Sequence, residues 1–224
     1  MARLFENVEL HNRIGIFADR DDAGRKLAEL LRTAVAPNTL VLAIPSGGVP
    51  VGLEIARALQ LEFDLLLVRK VQIPWNTEAG FGAVNMDGDL IINEHLLTLL
   101  NLTDDQIDRQ VRATRETIAR RNSKFRRDTP FPDIAARPVV LVDDGLASGY
   151  TMRAAIAFVR KREPASITVA VPTGSADTVR TLLQEVGGVY CLNIRDSYPY
   201  AVAAAYRNWY DLEDKDVLRL LGRE

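Results

Sequence analysis

Five short apolar runs constrain the fold of this chain more than any other feature. They are Leu40–Ile44, Leu65–Val68, Val139–Val142, Ile167–Val171 and Val189–Leu192. A strand with one face in water alternates apolar and polar residues. A continuous run predicts burial on both faces, as in parallel sheets covered by helices. Helical patterns fall between the runs. Asp22–Leu31 places Ala23, Leu27, Leu30 and Leu31 on one face, Val51–Leu59 and Met152–Val159 repeat the spacing, and Ser175 or Asp177 is placed to cap a helix through Leu183. Strands alternating with helices predict a doubly wound α/β fold with a mainly parallel, five-stranded sheet.

Ahead of the third run lies an insertion, about residues 84–137. Val84–Asn93 predicts a hairpin around Asp87-Gly88, a favoured tight-turn pair. Thr103-Asp104-Asp105-Gln106 fits a capping box, and the following helix carries its apolar stripe on Ile107, Val111, Thr114, Ile118 and Phe125. Residues 109–127 hold eight basic side chains against Glu116 alone, a net +7 that leaves −9 elsewhere out of the overall −2. A solvated helix face is the ordinary meaning of such a segment. The expected organisation is one domain over 1–224, with the insertion and a hood-like tail from about residue 193.

Composition removes several function classes. A net charge of −2 does not indicate a globally basic nucleic-acid binder. One cysteine, Cys191, makes no internal disulfide, so a reducing, cytoplasmic compartment is expected. His11, His95 and Cys191 do not complete a structural zinc site. No apolar run approaches the ~18 residues of a membrane span, and residues 1–13 lack the apolar core of a signal peptide. A serine hydrolase is rejected because G-x-S-x-G is absent and both histidines precede Ser148. Phosphate-loop ATPases are rejected for lack of G-x-x-x-x-G-K-[ST].

In open α/β sheets ligands bind beyond the carboxyl ends of the strands. Those segments hold Pro45-Ser46-Gly47-Gly48, Arg69-Lys70, Asp143–Thr151, Pro172–Ser175 and Asn193–Ser197. The third carries the most information. A strand ends in Asp143-Asp144, then a turn rich in Gly and hydroxyls opens a helix. Backbone N–H groups and the Ser148 and Thr151 hydroxyls suit a phosphate dianion. The carboxylates accept hydrogen bonds from vicinal sugar hydroxyls or from water around magnesium. Together they describe a ribose 5-phosphate site.

Here the chain resembles the type I phosphoribosyltransferases. VVLVDDGLASGYT, residues 139–151, matches their signature for 5-phosphoribosyl-1-pyrophosphate (PRPP). Phe17–Gly24, Val68-Arg69-Lys70 and Gly82-Ala83-Val84 are similar to a little-characterised bacterial and archaeal subgroup, with the likeness running from about Phe17 to Leu221. The resemblance implies that Asp143 and Asp144 take the ribose hydroxyls, with Asp144 also a catalytic residue. It implies that Ala147, Ser148, Gly149, Tyr150 and Thr151 cradle the 5-phosphate. Ser46, Gly47 and Gly48 correspond to the pyrophosphate loop, and Arg69 and Lys70 supply it with positive charge. The subgroup often carries Arg at Ser46, so one cationic contact is missing. Val71–Gly82 matches a flexible catalytic lid, and Glu78, its one ionisable side chain, is the candidate acid/base.

The implied enzyme is a glycosyltransferase that moves 5-phosphoribosyl from PRPP to a nitrogen acceptor of nucleobase type, a purine by preference, in nucleotide salvage. Mg²⁺ accompanies PRPP, with no direct metal ligand on the protein. Ala147 matches the adenine and orotate types, whereas Ile194–Tyr198 is similar to the 6-oxopurine enzymes. Tyr198 and Tyr200 are the candidates for stacking on the acceptor. A homodimer is compatible with the family, and no membrane partner is expected. The alternative is a PRPP-binding regulator that contacts nucleic acid through residues 109–127. Aromatic platforms are sparse in that segment, which argues against it.

Overall fold

A computed structural model describes residues 2–223, apart from the side chains of Thr77 and Glu78. Its centre is a six-stranded, all-parallel sheet of β1 (Arg3–Glu6), β2 (Leu40–Ala43), β3 (Glu62–Leu65), β7 (Pro138–Val142), β8 (Ser166–Ser175) and β9 (Gly188–Arg195), in the order β1-β9-β8-β7-β2-β3. The parallel architecture is as expected. The sixth strand is β1, whose four residues have no continuous apolar run because they lie on the sheet edge, paired to β9 alone.

The continuous apolar runs have the predicted cause. Leu40 and Leu42 enter the cluster beneath α5 (Tyr150–Arg160) and α6 (Ala176–Leu182), while Val41 enters the one beneath α1 (Arg20–Leu31) and α2 (Gly48–Leu59). The second run is displaced from its strand. The β3 ladder ends at Leu65, and Leu66–Val68 stay buried without it because the chain leaves the sheet after Leu66 N–H donates to the Ala43 carbonyl. From β2 the chain goes to β3 on one side and later to β7 on the other. The turns after β2 and β7 therefore meet where strand order reverses.

Between β3 and β7 runs a second layer. β4 (Arg69–Ile73), β5 (Asn76–Val84) and β6 (Leu90–Ile92) form an antiparallel sheet, followed by α3 (Glu94–Leu100) and α4 (Asp104–Arg121). The lid expected at Val71–Gly82 is thus a two-stranded ribbon, and its glycines serve packing: a Cβ on Gly80 would lie 2.2 Å from Lys70 Cγ. The Asp87-Gly88 turn forms, with Gly88 at φ +82°. The Thr103–Gln106 capping box is present, and α4 buries Val111, Thr114 and Ile118. Among the described residues no helix is long and apolar enough to cross a membrane.

Six of the eight basic side chains in residues 109–127 are engaged within the chain, Arg109 and Arg120 by local bonds on α4 itself. Arg126 is buried, gripping Asp64 at 2.6 and 3.1 Å and donating to the carbonyls of Thr129 and Pro130. Arg121 and Lys124 both reach Asp214 in α7 (Asp214–Leu220), and Arg115 donates twice to the Gly88 carbonyl.

Candidate active site

The turn after β2 and the turn after β7 touch. Gly47 and Gly48 open α2 without a side-chain cap, and the Pro45–Ser46 peptide bond is cis. A Cβ on Gly47 would lie 1.9 Å from Asp144 Oδ2, and one on Gly48 2.6 Å from the Val142 carbonyl oxygen. Glycine at these positions is what lets the Asp144 carboxylate lie directly over the β2–α2 turn.

Asp144 is held at three atoms. Arg20 Nε donates to its Oδ2 at 2.8 Å, the Tyr206 hydroxyl donates to its carbonyl at 2.6 Å, and its own N–H donates to Asp143 Oδ1 at 2.8 Å. Arg20 begins α1, whose N-cap Asp19 accepts from Asp22 N–H. The guanidinium lies 3.9 Å from the Trp209 ring centroid and donates to the Tyr210 carbonyl at 2.9 Å.

The turn between β7 and α5 is pinned from beneath. Leu146 bridges Gly174, and the Ala147 carbonyl accepts from the hydroxyls of Thr178 at 2.5 Å and Ser175 at 3.2 Å. Gly149, at φ +79°, leaves no room for a side chain, since a Cβ would sit 2.6 Å from Thr178 Cγ2. The backbone N–H groups of Ala147–Thr151 find no acceptor among the described residues, and α5 has no side-chain cap. This is an open anion cradle at a helix N-terminus.

Residues 19–182 match the family model described as the phosphoribosyl transferase domain. The chain belongs to the phosphoribosyltransferase family. It is 35% identical over 208 residues to the Mycobacterium tuberculosis protein named "Putative phosphoribosyl transferase Rv0571c", an alignment covering 93% of this chain and 47% of that one. The chain thus spans about half the length of the curated relatives it matches. The crystal structure of TT1426 from Thermus thermophilus superposes with a TM-score of 0.73 at 36% identity, covering 92% of this chain and 97% of that one.

A cleft of about 410 Å³ brings together Ser46, Arg69, Lys70, Asp143 and Thr151, residues drawn from three separate sequence segments. Burial pushes the Asp143 carboxyl well above the usual carboxylate range, and the adjacent Asp144 charge adds to the shift. Burial raises Asp144 too, but Arg20 opposes it. Arg69 is half-buried and makes no ion pair with a carboxylate among the described residues. Burial, then the nearby Arg121 charge, lowers its pKa.

The two candidate acceptor tyrosines do not line this cleft. Tyr198 is 97% exposed, and the Tyr200 hydroxyl turns toward Thr173 Oγ1 at 3.4 Å. Glu78 lies on β5, with its side chain outside the described residues. Sequence reasoning missed Arg20, Tyr206 and Trp209. The first sits inside the family-like stretch Phe17–Gly24 without an assigned role. The tail's aromatic spacing gives no sign that it encloses a cation.

Proposed function

We propose that this chain transfers 5-phosphoribosyl from PRPP to a ring nitrogen of a nucleobase-like acceptor, a purine by preference, and releases pyrophosphate. The observation that carries the reading is the juxtaposition at the strand-order reversal. Two adjacent carboxylates suited to a ribose diol lie between an open N–H cradle suited to a 5-phosphate and a cation-lined cleft suited to a diphosphate.

In this reaction the bond from the anomeric carbon to a pyrophosphate oxygen breaks and a carbon–nitrogen bond forms, while the acceptor nitrogen gives up its proton. Glu78, on the ribbon beside the cleft, is the proposed proton acceptor. Ser46, Gly47, Gly48, Arg69 and Lys70 stabilise the departing charge, the largest electrostatic contribution expected here. Among the described residues no group of three or more His, Cys, Asp or Glu is placed to hold a metal ion. The carboxylates fit Mg²⁺ that arrives on the diphosphate, with Asp143 and Asp144 holding its water. The ion would supply charge neutralisation to the leaving group. Base salvage in the cytoplasm is the setting this reading implies. The nucleic-acid alternative is weakened because Arg115, Arg121, Lys124 and Arg126 are engaged inside the chain.

The test is pyrophosphate release from PRPP across a panel of purines and pyrimidines. Release with at least one base supports transfer. Tight PRPP binding with no turnover on any base would replace the enzyme with the regulator. A pH series adds a second check. The ionised carboxylate is the better diol acceptor, and Asp143 takes up its proton above the ordinary 3.8. PRPP affinity should therefore fall on acidification at a pH well above that of a normal carboxylate. Affinity that stays flat down to about pH 4 would count against the diol role.

A further inference from the structure

We propose that Arg121, on the last turn of α4, is a pyrophosphate-binding residue that the insertion contributes to the cleft; this rests on the PRPP reading above. Its side chain lines the same cleft as Ser46, Arg69 and Lys70, although it comes from a helix whose basic residues read in sequence as a solvated face.

The local charge distribution supports this role. Arg69 and Arg121 are both half-buried, and Arg121 is close enough to disfavour charge on Arg69, with Arg120 adding to that repulsion. Lys70 lines the same cleft. The acids facing this group are Asp143, Asp211 at the cleft edge, and Asp214. Asp214 is shared: it pairs with Arg121 at 2.9 Å and with Lys124 at 3.4 Å. Like charges drawn together with partial loss of water repel strongly, and a multiply charged anion between them reverses the sign of the interaction. A diphosphate is such an anion, and the planar guanidinium fork matches its oxygens in pairs.

Arg121 is mounted before any ligand arrives. Its guanidinium lies 5.7 Å from the Phe125 ring centroid, and Asp214 holds it from the start of α7. That helix is anchored by Val217, fully buried in the cluster that also contains Phe125. If Arg121 turns to a ligand, Lys124 still neutralises Asp214.

The test titrates magnesium pyrophosphate, ribose 5-phosphate and PRPP separately into the full chain by calorimetry, using wild type, Arg121→Gln and Arg121→Lys, with melting curves as a folding control. Arg121→Gln is expected to weaken pyrophosphate binding by about 10- to 100-fold. Ribose 5-phosphate should stay within about twofold, because its cradle is a separate set of groups. Arg121→Lys, which keeps the charge and the Asp214 pair, should recover part of the loss. Unchanged pyrophosphate affinity in folded Arg121→Gln overturns the proposal. So does an equal loss for ribose 5-phosphate, which marks general damage to the site. A wild type that binds PRPP and ribose 5-phosphate but not pyrophosphate overturns it while sparing the PRPP reading. A wild type that binds none of the three overturns both.

Discussion

Asp144→Asn is expected to reduce PRPP-dependent pyrophosphate release by at least about a hundredfold, with most of the loss in PRPP binding. The substitution keeps the shape over Gly47 but replaces an anionic acceptor with a neutral amide. Two charge-assisted hydrogen bonds to a ribose diol, at about 1.5 kcal/mol each, account for a loss of that size. Folding should be weakened as well, because Arg20 is left buried without its anionic partner, so affinity is compared well below the variant's melting temperature. Calorimetric PRPP affinity and kcat/KM, measured beside a melting curve, separate these effects. A variant that binds PRPP as wild type does would remove Asp144 from the site.

Arg20→Met should produce the largest loss of stability. Arg20 is 7% exposed and bonded at 2.8 Å to Asp144, which also sits largely out of solvent. Removing one member of such a pair leaves an unpaired buried charge, which costs about 3 kcal/mol or more. For a chain of this size that lowers Tm by roughly 6–12 °C. The sign of the pH dependence follows from Asp144. Without Arg20, the influence that lowers its pKa is gone, so the folded-state value rises further above the unfolded 3.8. The deficit should then be greatest at neutral pH, above that raised value, and shrink as acidification protonates the carboxyl. A deficit that persists undiminished near pH 4 would point instead to lost stacking on Trp209. Adding Asp144→Asn to the Arg20→Met background should recover part of the stability, because the orphaned charge is then absent.

The parts legible in sequence are those with a strict pattern. Val139–Val142 is apolar without interruption because Val140 and Leu141 face different cores, and that alone predicts a parallel strand. The following turn is legible because acids, a glycine at positive φ and a helix start leave few alternatives. β1 escapes a sequence reading because an edge strand has one partner and little apolar demand. The strands of the ribbon at Arg69–Val84 escape a sequence reading because Pro74, Gly80 and Gly82 read as loop residues, while in the fold Gly80 and Gly82 make room for Lys70 and for the Ile91 carbonyl. Arg121 is legible only as one charge among eight. Which cations of a basic helix turn inward depends on acids distant in sequence, here Asp214, and no local pattern records that. Arg20 is invisible for the same reason, since its aromatic enclosure lies nearly 190 residues away.

The pairing of β1 with β9 has a consequence for how the protein is made. The first twenty residues find their partners almost entirely at the far end of the chain. β1 waits for Gly188–Cys191, Phe17 for Tyr206, and Arg20 for Tyr210. At ribosomal speeds of about 5–20 residues per second, that is roughly ten to forty seconds of synthesis. Throughout that time α1 has emerged, but Tyr190, Leu192 and Tyr206 are not yet there to cover its apolar face. The nascent chain thus carries a half-built cleft wall until residues 188–210 appear, and the surroundings of Asp144 and Arg20 are completed late and as a unit.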